Sequence, residues 1–483
     1  MIIISPLLNR ILFSVCLICI GFAGWSQNTL RQRTDSVVTL VQKYINEKSA
    51  DKIYELTAPS FQKALGAEQF KAVAEGNIFV LGELSKLTFE KMNGAVSNYK
   101  ADFAAGSLLL LLNIDGENKI TGLLFRPYVA SKKRDEKDIK TSNQMVSEMD
   151  KKVNEIAMTF MTNEPAVGMS IGIIKGGQAY FYGYGEMNKN DHRIPTPATI
   201  FELGSISKTF TATLLAIAIN EGKLKLDDPV NKYLPDSIPS LQLNNKVVTF
   251  RSLMNHTSGL PRMPAEFDDK KIDKHGEIIY PVEKLFSWLK NVKLSREPGS
   301  EMEYSNAGVS LVSTVLQRIY KMNYEQLVTK FICEPNGMND TRIYIRKQDS
   351  ANYAAGYDNT GAYFFPRNLP PVYQGAGGLR STATDMLKYA TSQWDAPTRK
   401  LAKANSLAHD TTFSNGKVAI GIAWTYIKAV DVPVMFHSGA TGGYRSFLAI
   451  DKEKKIAVIV LVNAAIEADE QGARIMQWLV KNP

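Results

Sequence analysis

The stretch FELGSISKTFTATLLAIAIN, residues 201–220, carries the pattern on which both fold and chemistry depend. After Gly204, apolar residues recur at helical spacing, which predicts a buried helix that begins near Ser205 and stops at Gly222. Residues three apart share a helix face, so Ser205 and Lys208 are predicted to meet in the first turn. A hydroxyl becomes a nucleophile when a neighbouring base takes its proton, and a lysine is such a base only when its pKa is lowered.

The spacing Ser-x-x-Lys is a weak signal by itself. It recurs in this chain at five other serines: Ser49, Ser60, Ser97, Ser287 and Ser414. The copy at Ser205 differs because a strongly apolar helix pattern follows it. A rival Gly-x-Ser-x-Gly motif at residues 168–172 would need a strand, a sharp turn and a helix. Ser170 instead falls inside a continuous strand pattern, so we expect it to be a strand residue.

Two further motifs follow downstream. The triplet YSN, residues 304–306, precedes an apolar helix pattern, and the quartet HSGA, residues 437–440, precedes a strand pattern that begins at 446. A tyrosine at 304 can relay protons, and an asparagine at 306 can bond a substrate amide and hold the lysine. We expect His437 to lie on an edge strand or at its entrance.

The strand patterns of the larger part lie near its two ends. Residues 167–175 and 178–185 form a predicted hairpin around Gly176-Gly177, after a helix predicted over 145–161. Residues 446–450 and 456–463 form a second hairpin, followed by a closing helix over 468–480. The patterns therefore predict one antiparallel sheet flanked by helices, with the middle of the chain forming a helical subdomain beside it.

The segment before this part reads as a separate α+β unit. A helix pattern covers residues 35–48, and strand patterns cover 87–91, 99–103, 107–113 and 120–125. In element order this unit resembles the small rolls of the ketosteroid-isomerase type, although an accessory or dimerisation role is favoured over a ligand pocket. We predict a small α+β accessory domain over 27–126, a charged, solvated linker over 127–142 and the larger domain over 143–483. The charged run over 132–138 within the linker is alternatively the first turns of the next helix.

The first 26 residues are typical of a signal peptide. Arg10 precedes an apolar run over 11–23 that is too short to span a membrane, and small residues precede the cleavage point after Ser26. A short membrane anchor is the alternative. We expect an exported protein, periplasmic or secreted, without a stable membrane span after cleavage. Cleavage would leave Cys333 as the sole cysteine, which excludes an intrachain disulfide, and its apolar neighbours favour a place in the core.

Composition limits the class of protein. Of 483 residues, 45% are hydrophobic and 22% charged, which is typical of a globular protein and excludes a mainly disordered, collagenous or polytopic membrane chain. The 57 basic and 48 acidic residues give a net charge of +9. They interleave without a basic run, so no nucleic-acid partner is indicated. No zinc-ligand motif is present, and we predict neither a metal nor another cofactor.

Taken together and in order, the motifs at Ser205, Tyr304 and His437 resemble the three signatures of the serine β-lactamase and DD-peptidase superfamily, in particular its class C β-lactamase-like branch. LMNHTSGL at residues 253–260 and GGLRST at 377–382 are similar to further segments of that branch. The resemblance covers roughly residues 145–480 and implies a β-lactamase/transpeptidase-like fold.

The resemblance also implies a role for each matched residue. Ser205 would attack a carbonyl and become acylated, while Lys208 and Tyr304 would share the general acid–base work. The backbone N–H groups of Ser205 and Ala440 would form the oxyanion hole. The remaining residues would bind substrate: Asn306, His437, Ser438, Gly439 and Ala440. His256 would be structural.

One departure affects the substrate prediction. Many β-lactamases of the superfamily have a lysine where this chain has His437, and no Lys-Thr-Gly or Lys-Ser-Gly occurs anywhere in it. A histidine is mostly neutral at pH 7 and suits a substrate carboxylate less well. We therefore predict a DD-peptidase, aminopeptidase or esterase acting on a small-molecule or short-peptide substrate, for example one derived from peptidoglycan. The alternatives are a β-lactamase proper and a non-catalytic envelope protein that binds such ligands.

Overall fold

The computed structural model describes residues 24–93, 96–128, 133–269, 271–274, 276–416, 418–429 and 432–482. The chain divides into two compact units, Met1–Ala130 and Ser131–Pro483. The predicted signal peptide lies outside the described residues except for residues 24–26, which begin the first helix. Within the described ranges, no helix combines the length and the apolar character needed to cross a membrane.

The first unit packs one long helix and several short ones against a four-stranded antiparallel sheet. Its helices are α1 (Gly24–Asn46), α2 (Ala50–Glu55), α3 (Pro59–Ala64) and α4 (Ala67–Val73). Its strands follow in sequence order across the sheet: β1 (Leu84–Asn93), β2 (Val96–Phe103), β3 (Gly106–Ile114) and β4 (Ile120–Pro127). Alternate residues of the central strands, such as Tyr99 and Leu110, are buried in a core shared with Val41 of α1.

The second unit is built on an eight-stranded antiparallel sheet in the order β13-β14-β15-β16-β17-β18-β5-β6. Its strands come from both ends of the unit: β5 (Gly168–Lys175), β6 (Gln178–Gly185), β13 (Phe413–Ser414), β14 (Ala419–Ile420), β15 (Thr425–Ala429), β16 (Val432–Ala440), β17 (Arg445–Asp451) and β18 (Ile456–Val462). The β18–β5 pairing joins the two ends, and every residue of β18 is buried. The predicted mixed α/β architecture with one antiparallel sheet is confirmed.

Helices and short two-residue strands fill the rest of this unit. The helices are α5 (Glu148–Asn163), α6 (Ser207–Asn220), α7 (Phe250–Met254), α8 (Val282–Asn291), α9 (Asn306–Tyr320), α10 (Tyr324–Val328), α11 (Glu334–Asn336), α12 (Gln374–Gly377), α13 (Ala383–Thr391), α14 (Arg399–His409) and α15 (Asp469–Lys481). The short strands are β7 (Phe201–Glu202), β8 (Gln242–Leu243), β9 (Lys246–Val247), β10 (Gly356–Tyr357), β11 (Tyr363–Phe364) and β12 (Arg380–Ser381).

Two local predictions differ from the structure. Helix α5 begins at Glu148 rather than at Met145, because the Ser147 hydroxyl accepts the N–H of Asp150 and the Asp150 carboxylate accepts the N–H of Ser147. Met145 therefore stays outside the helix and is 43% exposed. The described residues 133–142 of the segment predicted as a solvated linker belong to the second unit, and Arg134 donates hydrogen bonds to backbone carbonyls there, among them that of Ala166 at 2.5 Å.

The strand of His437 also differs from the prediction. β16 is an interior strand of the sheet, between β15 and β17. Its pairing with β15 ends at Phe436, whereas its pairing with β17 continues to Ala440. In this described part of the sheet, residues 437–440 thus extend past β15, and only their β17 side carries a paired strand. Ser170 lies in β5, buried and paired with Leu461, as predicted.

Candidate active site

A tight turn presents Ser205 at the start of α6. Strand β7 pairs with β12, and the buried ion pair between Glu202 and Arg380, 3.0 Å long, fixes the two strands together. Gly204 then adopts φ +49°, a left-handed conformation that glycine tolerates. A single 3₁₀ turn over Gly204–Ile206 carries Ser205, and the α-helix begins at Ser207. The nucleophile candidate is therefore held on a turn anchored by its neighbours on both sides.

The same turn packs directly on the end of β16. The Ser446 hydroxyl of the adjacent strand donates to the carbonyl of Leu203 at 2.7 Å. A Cβ atom on Gly439 would lie 1.9 Å from that carbonyl oxygen, and one on Gly204 would lie 2.6 Å from the backbone nitrogen of Ala440. Only hydrogen fits in either position. This close approach brings the backbone of Ala440 beside the residue that precedes Ser205.

Lys208 is fully buried against Ser205. Its Nζ lies 2.9 Å from the Ser205 Oγ and donates a 2.6 Å hydrogen bond to the carbonyl of Ala376 in α12. Burial lowers the pKa of Lys208 well below its usual value, and the positive charge of Arg262 lowers it further. No carboxylate forms an ion pair with Lys208 in the part of the chain that the structure describes. A neutral amine at this position can accept the hydroxyl proton of Ser205.

The other Ser-x-x-Lys copies lack this environment. The lysines of three of them are exposed: Lys52, Lys63 and Lys290. Lys100 pairs with Asp102 at 2.9 Å and keeps 32% of its side chain exposed, while Lys417 lies outside the described residues. Each described copy other than the one at Ser205 is therefore a solvated lysine near a serine.

Tyr304 completes a cluster of rings and cations around the serine. Lys208 Nζ lies 4.9 Å from the centroid of the Tyr304 ring, and the His256 ring lies 4.3 Å from it. Burial raises the pKa of Tyr304 to about 12, although a hydrogen-bonding interaction with the Ser205 hydroxyl and the charge of Arg262 oppose the rise. Tyr304 is thus a phenol near neutral pH, able to donate a proton.

The N-terminus of α9 holds this cluster together. Ser305 caps the helix, with its hydroxyl accepting the N–H of Gly308 and donating to the carbonyl of Pro261 at 2.8 Å. His256 Nδ1 accepts the backbone N–H of Ser305 at 3.3 Å, so this buried ring supports the turn. Asn306 is the first helical residue, and its backbone N–H donates to the carbonyl of Arg262 at 3.0 Å.

The contact that sequence reasoning allowed between Asn306 and Lys208 is replaced. Both hydrogen bonds of Lys208 among the described residues go elsewhere, to Ser205 and to the backbone of Ala376. Asn306 lies beside the cluster without holding the lysine.

His437 lies on β16, and its imidazole ring is neutral. Its Nδ1 lies 2.7 Å from the carbonyl oxygen of Ser438, which can only accept, so Nδ1 carries the proton and Nε2 is an acceptor. Burial lowers the pKa of His437 to about 3. The neighbouring Ser438 hydroxyl interacts with Asp469 at the start of α15, and burial raises the pKa of that carboxyl to about 7.

Several residues of this site carried no sequence signal. Ala376 acts through its backbone, and only the GGLRST motif just after it pointed to the region. Arg262 follows the LMNHTSGL motif by two residues, which is the signal that could have drawn attention to it. Asp469 and Ser446 belong to no motif, because their contacts depend on the packing of strands far apart in sequence. In the described residues, no group of three or more His, Cys, Asp or Glu side chains could hold a metal ion.

The amino-acid sequence of the chain is similar to that of known proteins. The model of the family described as Beta-lactamase matches residues 153–480. The chain is 27% identical over 350 residues to a beta-lactamase of Pseudomonas fluorescens, an alignment that spans 64% of this chain and 92% of that protein. It is also 27% identical over 314 residues to the D-alanyl-D-alanine-carboxypeptidase/endopeptidase AmpH of Escherichia coli K12, spanning 62% of this chain and 79% of AmpH.

A solved structure shows the same fold. The D-alanine carboxypeptidase AmpC of Burkholderia cenocepacia superposes with a TM-score of 0.58 at 26% identity. The superposition covers 68% of this chain and 98% of that one. The first unit lies outside the family match, which begins at residue 153.

Proposed function

The chain belongs to the beta-lactamase family and is a serine hydrolase, and from that premise we propose that it cleaves a peptide, amide or ester bond through an acyl-enzyme on Ser205. The observation that carries the proposal is the buried contact between Ser205 Oγ and Lys208 Nζ, 2.9 Å long and without a compensating carboxylate in the described residues. A lysine kept neutral beside a hydroxyl has the chemistry of a general base.

The proposed first step transfers the proton of Ser205 to the amine of Lys208 while Oγ attacks the substrate carbonyl carbon. The carbonyl oxygen becomes an oxyanion, for which the backbone N–H groups of Ser205 and Ala440 are the proposed donors. Each such donor increases kcat by about 10²–10³-fold. Tyr304, a phenol at neutral pH, would donate a proton to the leaving group as the tetrahedral intermediate collapses to the acyl-enzyme, and the ammonium of Lys208 would pass the proton it took from Ser205 to the resulting phenolate. A water molecule then hydrolyses the acyl group and restores Ser205.

The non-catalytic alternative is disfavoured on energetic grounds. Burying an ammonium group without an anion costs several kcal/mol, and a neutral buried amine still costs stability. A protein that only bound ligands would gain nothing from Lys208 in this position. An apolar side chain of similar size would serve its fold better.

A β-lactamase proper is the second candidate, favoured by the similarity to the Pseudomonas fluorescens beta-lactamase. Against it stands the neutral ring of His437, since β-lactam antibiotics carry a carboxylate that a cation at this place would attract. Turnover of a chromogenic cephalosporin, compared with that of a p-nitrophenyl ester and a D-alanyl peptide, distinguishes the two reaction types.

Labelling with a fluorophosphonate tests the nucleophile directly. We expect one adduct, located by peptide mass spectrometry on Ser205 and absent from Ser205→Ala. Ser170→Ala is the matched control, because Ser170 lies in the rival Gly-x-Ser-x-Gly motif, and this variant should still be labelled. An adduct that persists in Ser205→Ala would overturn the proposal.

The place of action is part of the same proposal. We infer that residues 1–26 direct export and are removed, so that the mature enzyme begins at Gln27 and works in the periplasm or outside the cell on peptidoglycan-derived or similar small substrates. N-terminal sequencing of the protein from its native host checks this. Retention of Met1 in the cytosolic fraction would contradict it.

A further inference from the structure

The imidazole ring of His437 enters the candidate site from the end of β16. Alternate side chains of a strand lie on the same face, so His437 and Gly439 share one face of β16. A Cβ atom on Gly439 would lie 1.9 Å from the carbonyl oxygen of Leu203, which identifies this face as the one that packs on the Ser205 turn. The ring also lies close to Lys208. It therefore faces the nucleophile and its base.

The ring offers Nε2 as a hydrogen-bond acceptor. Its Nδ1–H is used on the carbonyl of Ser438 at 2.7 Å, so Nε2 carries a lone pair. Lys208 does not donate to this atom, because its hydrogen bonds go to Ser205 and to the carbonyl of Ala376. Among the residues that the structure describes, no other group donates to Nε2 of His437.

An acceptor in this position needs a partner. His437 is only 7% exposed, and a buried acceptor that lacks a hydrogen bond destabilises the folded protein. The equally buried ring of His409, outside the site, shows the contrast. Both of its nitrogens have partners, Gln393 at 3.1 Å and Lys452 at 3.0 Å. The fold thus leaves one acceptor of His437 for a molecule that enters the site.

The same geometry disfavours a charged group at this position. The lone pair of Nε2 repels a carboxylate. An ammonium group would have to give up its hydration beside a ring that is nearly buried. The guanidinium of Arg262, 5.1 Å from the Tyr304 ring, adds a repulsive positive charge to the same cluster. An uncharged N–H donor meets the lone pair without these costs.

We propose that Nε2 of His437 accepts a hydrogen bond from an uncharged amide N–H of the substrate. The natural substrate is then a peptide or another acyl-amino compound, because a simple ester has no N–H to offer. This proposal rests on the acyl-enzyme function of Ser205 and names the substrate class on which that function acts. A site that bonds a substrate N–H rejects the analogue without it, since its own buried acceptor is then left unpaired.

Two other roles for His437 are separable from this one by experiment. A ring that only packs beneath the cleft would affect all substrates alike when it is replaced. A ring whose lone pair stays with a bound water molecule would give no preference for an N–H donor. The proposed role instead predicts a loss confined to substrates that carry the donor.

The test uses thioesters that differ in one donor. On the acyl side, the S-phenyl thioester of N-acetylalanine is compared with that of O-acetyllactic acid, in which oxygen replaces the N–H. On the leaving-group side, one acyl group is joined to the methylamide or to the methyl ester of mercaptoacetic acid. For wild type we expect kcat/KM to favour the N–H member of at least one pair about tenfold.

Replacement of His437 should remove this preference. His437→Phe keeps a ring without an acceptor, and the preference should fall below about twofold. His437→Gln, whose side-chain carbonyl can accept, should keep part of it. No preference in either pair for wild type, or a preference that persists in His437→Phe, would overturn the proposal.

A charged analogue tests the requirement for an uncharged donor. The S-phenyl thioester of free alanine presents an ammonium group where the acetylated form presents an amide N–H. On wild type it should react more slowly than the acetylated form. Faster turnover of the ammonium form would overturn the assignment of an uncharged donor to this position.

Labelling with an alkyl fluorophosphonate keeps the test independent of folding and of the nucleophile. This reagent has no N–H donor, so His437→Phe should be labelled at Ser205 at nearly the wild-type rate. If that variant is not labelled, the smaller His437→Leu takes its place. His192→Phe, at an exposed histidine, is the matched control and should keep both the labelling and the preference. Failure of the acyl-enzyme function itself would appear separately, as a wild-type protein that is not labelled at Ser205.

Discussion

The amine of Lys208 lies 2.9 Å from the hydroxyl of Ser205, and its other hydrogen bond goes to the uncharged carbonyl of Ala376. Neither partner is an anion, so the surroundings favour the neutral form of the amine over the ammonium form. The pKa of Lys208 is lowered first by burial and then by Arg262. The activity of the enzyme should therefore depend on a side chain at 208 that can lose its proton.

Lys208→Arg is the sharpest test of that dependence. A guanidinium stays protonated in proteins, so it cannot accept the proton of Ser205 even if it fills the same space. We expect the rate of fluorophosphonate labelling of Ser205 to fall by about 10²–10⁴, the usual contribution of a general base. Thermal unfolding followed by circular dichroism checks that the variant is folded.

Lys52→Arg is the matched control for this change. Lys52 belongs to the Ser-x-x-Lys copy at Ser49, is exposed and pairs with Glu47 at 2.9 Å. Its replacement should leave the labelling rate as it is. If a folded Lys208→Arg protein were labelled at the wild-type rate, Lys208 would not be the base.

Gly439→Ala should disable the site without touching its reactive groups. The added methyl group would lie 1.9 Å from the carbonyl oxygen of Leu203, so the Ser205 turn and the end of β16 must separate. Such overpacking costs about 1–3 kcal/mol, and the proposed oxyanion donors of Ser205 and Ala440 would no longer face the same point. We expect kcat to fall at least about 10²-fold, measured on a p-nitrophenyl ester.

Gly116→Ala provides the comparison for a glycine with free space. No atom lies within 4 Å of a Cβ placed on Gly116. This variant should therefore keep its activity, and its free energy of unfolding should stay within about 0.5 kcal/mol of the wild-type value. Wild-type kcat in Gly439→Ala would mean that the close approach of β16 to the Ser205 turn has no catalytic importance.

The fold and the central residue pair could be predicted because their signals are local. Helix α6 follows from a periodic apolar pattern, and the Ser205–Lys208 contact follows from helical spacing within one turn. The hairpins of β5–β6 and β17–β18 are each indicated by two strand-like runs joined by a turn. Helix α5 begins at Glu148, three residues after the predicted start, because the N-cap at Ser147 outweighs the apolar character of Met145.

The rest of the site could not be predicted because it is made of long-range contacts. The carbonyl of Ala376 is supplied by the backbone, which has the same donor and acceptor groups whatever the side chain. Arg262 is one of 57 basic residues, and only its place beside Tyr304 distinguishes it. The interior position of β16 depends on β13 to β15, whose pairing runs are only two to five residues long.

His437→Lys should change the substrate preference without changing the nucleophile. The histidine is neutral because burial holds its pKa at about 3, and a lysine would add a cation at the end of β16. We expect kcat/KM for an anionic cephalosporin to improve about tenfold relative to a neutral ester, equivalent to ~1.4 kcal/mol. His192→Lys, at an exposed histidine, is the control and should leave that ratio unaltered. An unaltered ratio in His437→Lys as well would show that substrate does not meet this position.

Asp469 links the pH of the medium to the substrate side of the site. Burial and, to a smaller extent, the nearby Glu467 raise its pKa from the ordinary 3.8 to about 7. The Ser438 hydroxyl and Arg445 act in the opposite direction, with Arg445 itself paired to Glu467 at 2.9 Å. Between about pH 4 and pH 7 the folded protein therefore holds a proton that the unfolded chain has released. Its contribution to stability is complete below pH 4 and is lost as the pH rises through 7.

Asp469→Asn should remove this dependence. Relative to wild type, the free energy of unfolding of the variant should rise by roughly 3 kcal/mol between pH 4.5 and pH 8, because the variant has no buried carboxyl to ionise. Glu470→Gln, at the exposed acid next in α15, should show no such trend.

The same carboxyl should affect activity. The wild-type enzyme should lose kcat/KM for an anionic substrate above pH 7, where ionised Asp469 places a negative charge beside Ser438. The Asp469→Asn variant should keep its kcat/KM over this range. Urea unfolding across this pH range and paired kinetics on anionic and neutral esters make both measurements. A stability difference that stays flat from pH 4.5 to pH 8 would mean that Asp469 ionises with an ordinary pKa and exerts no control over the site.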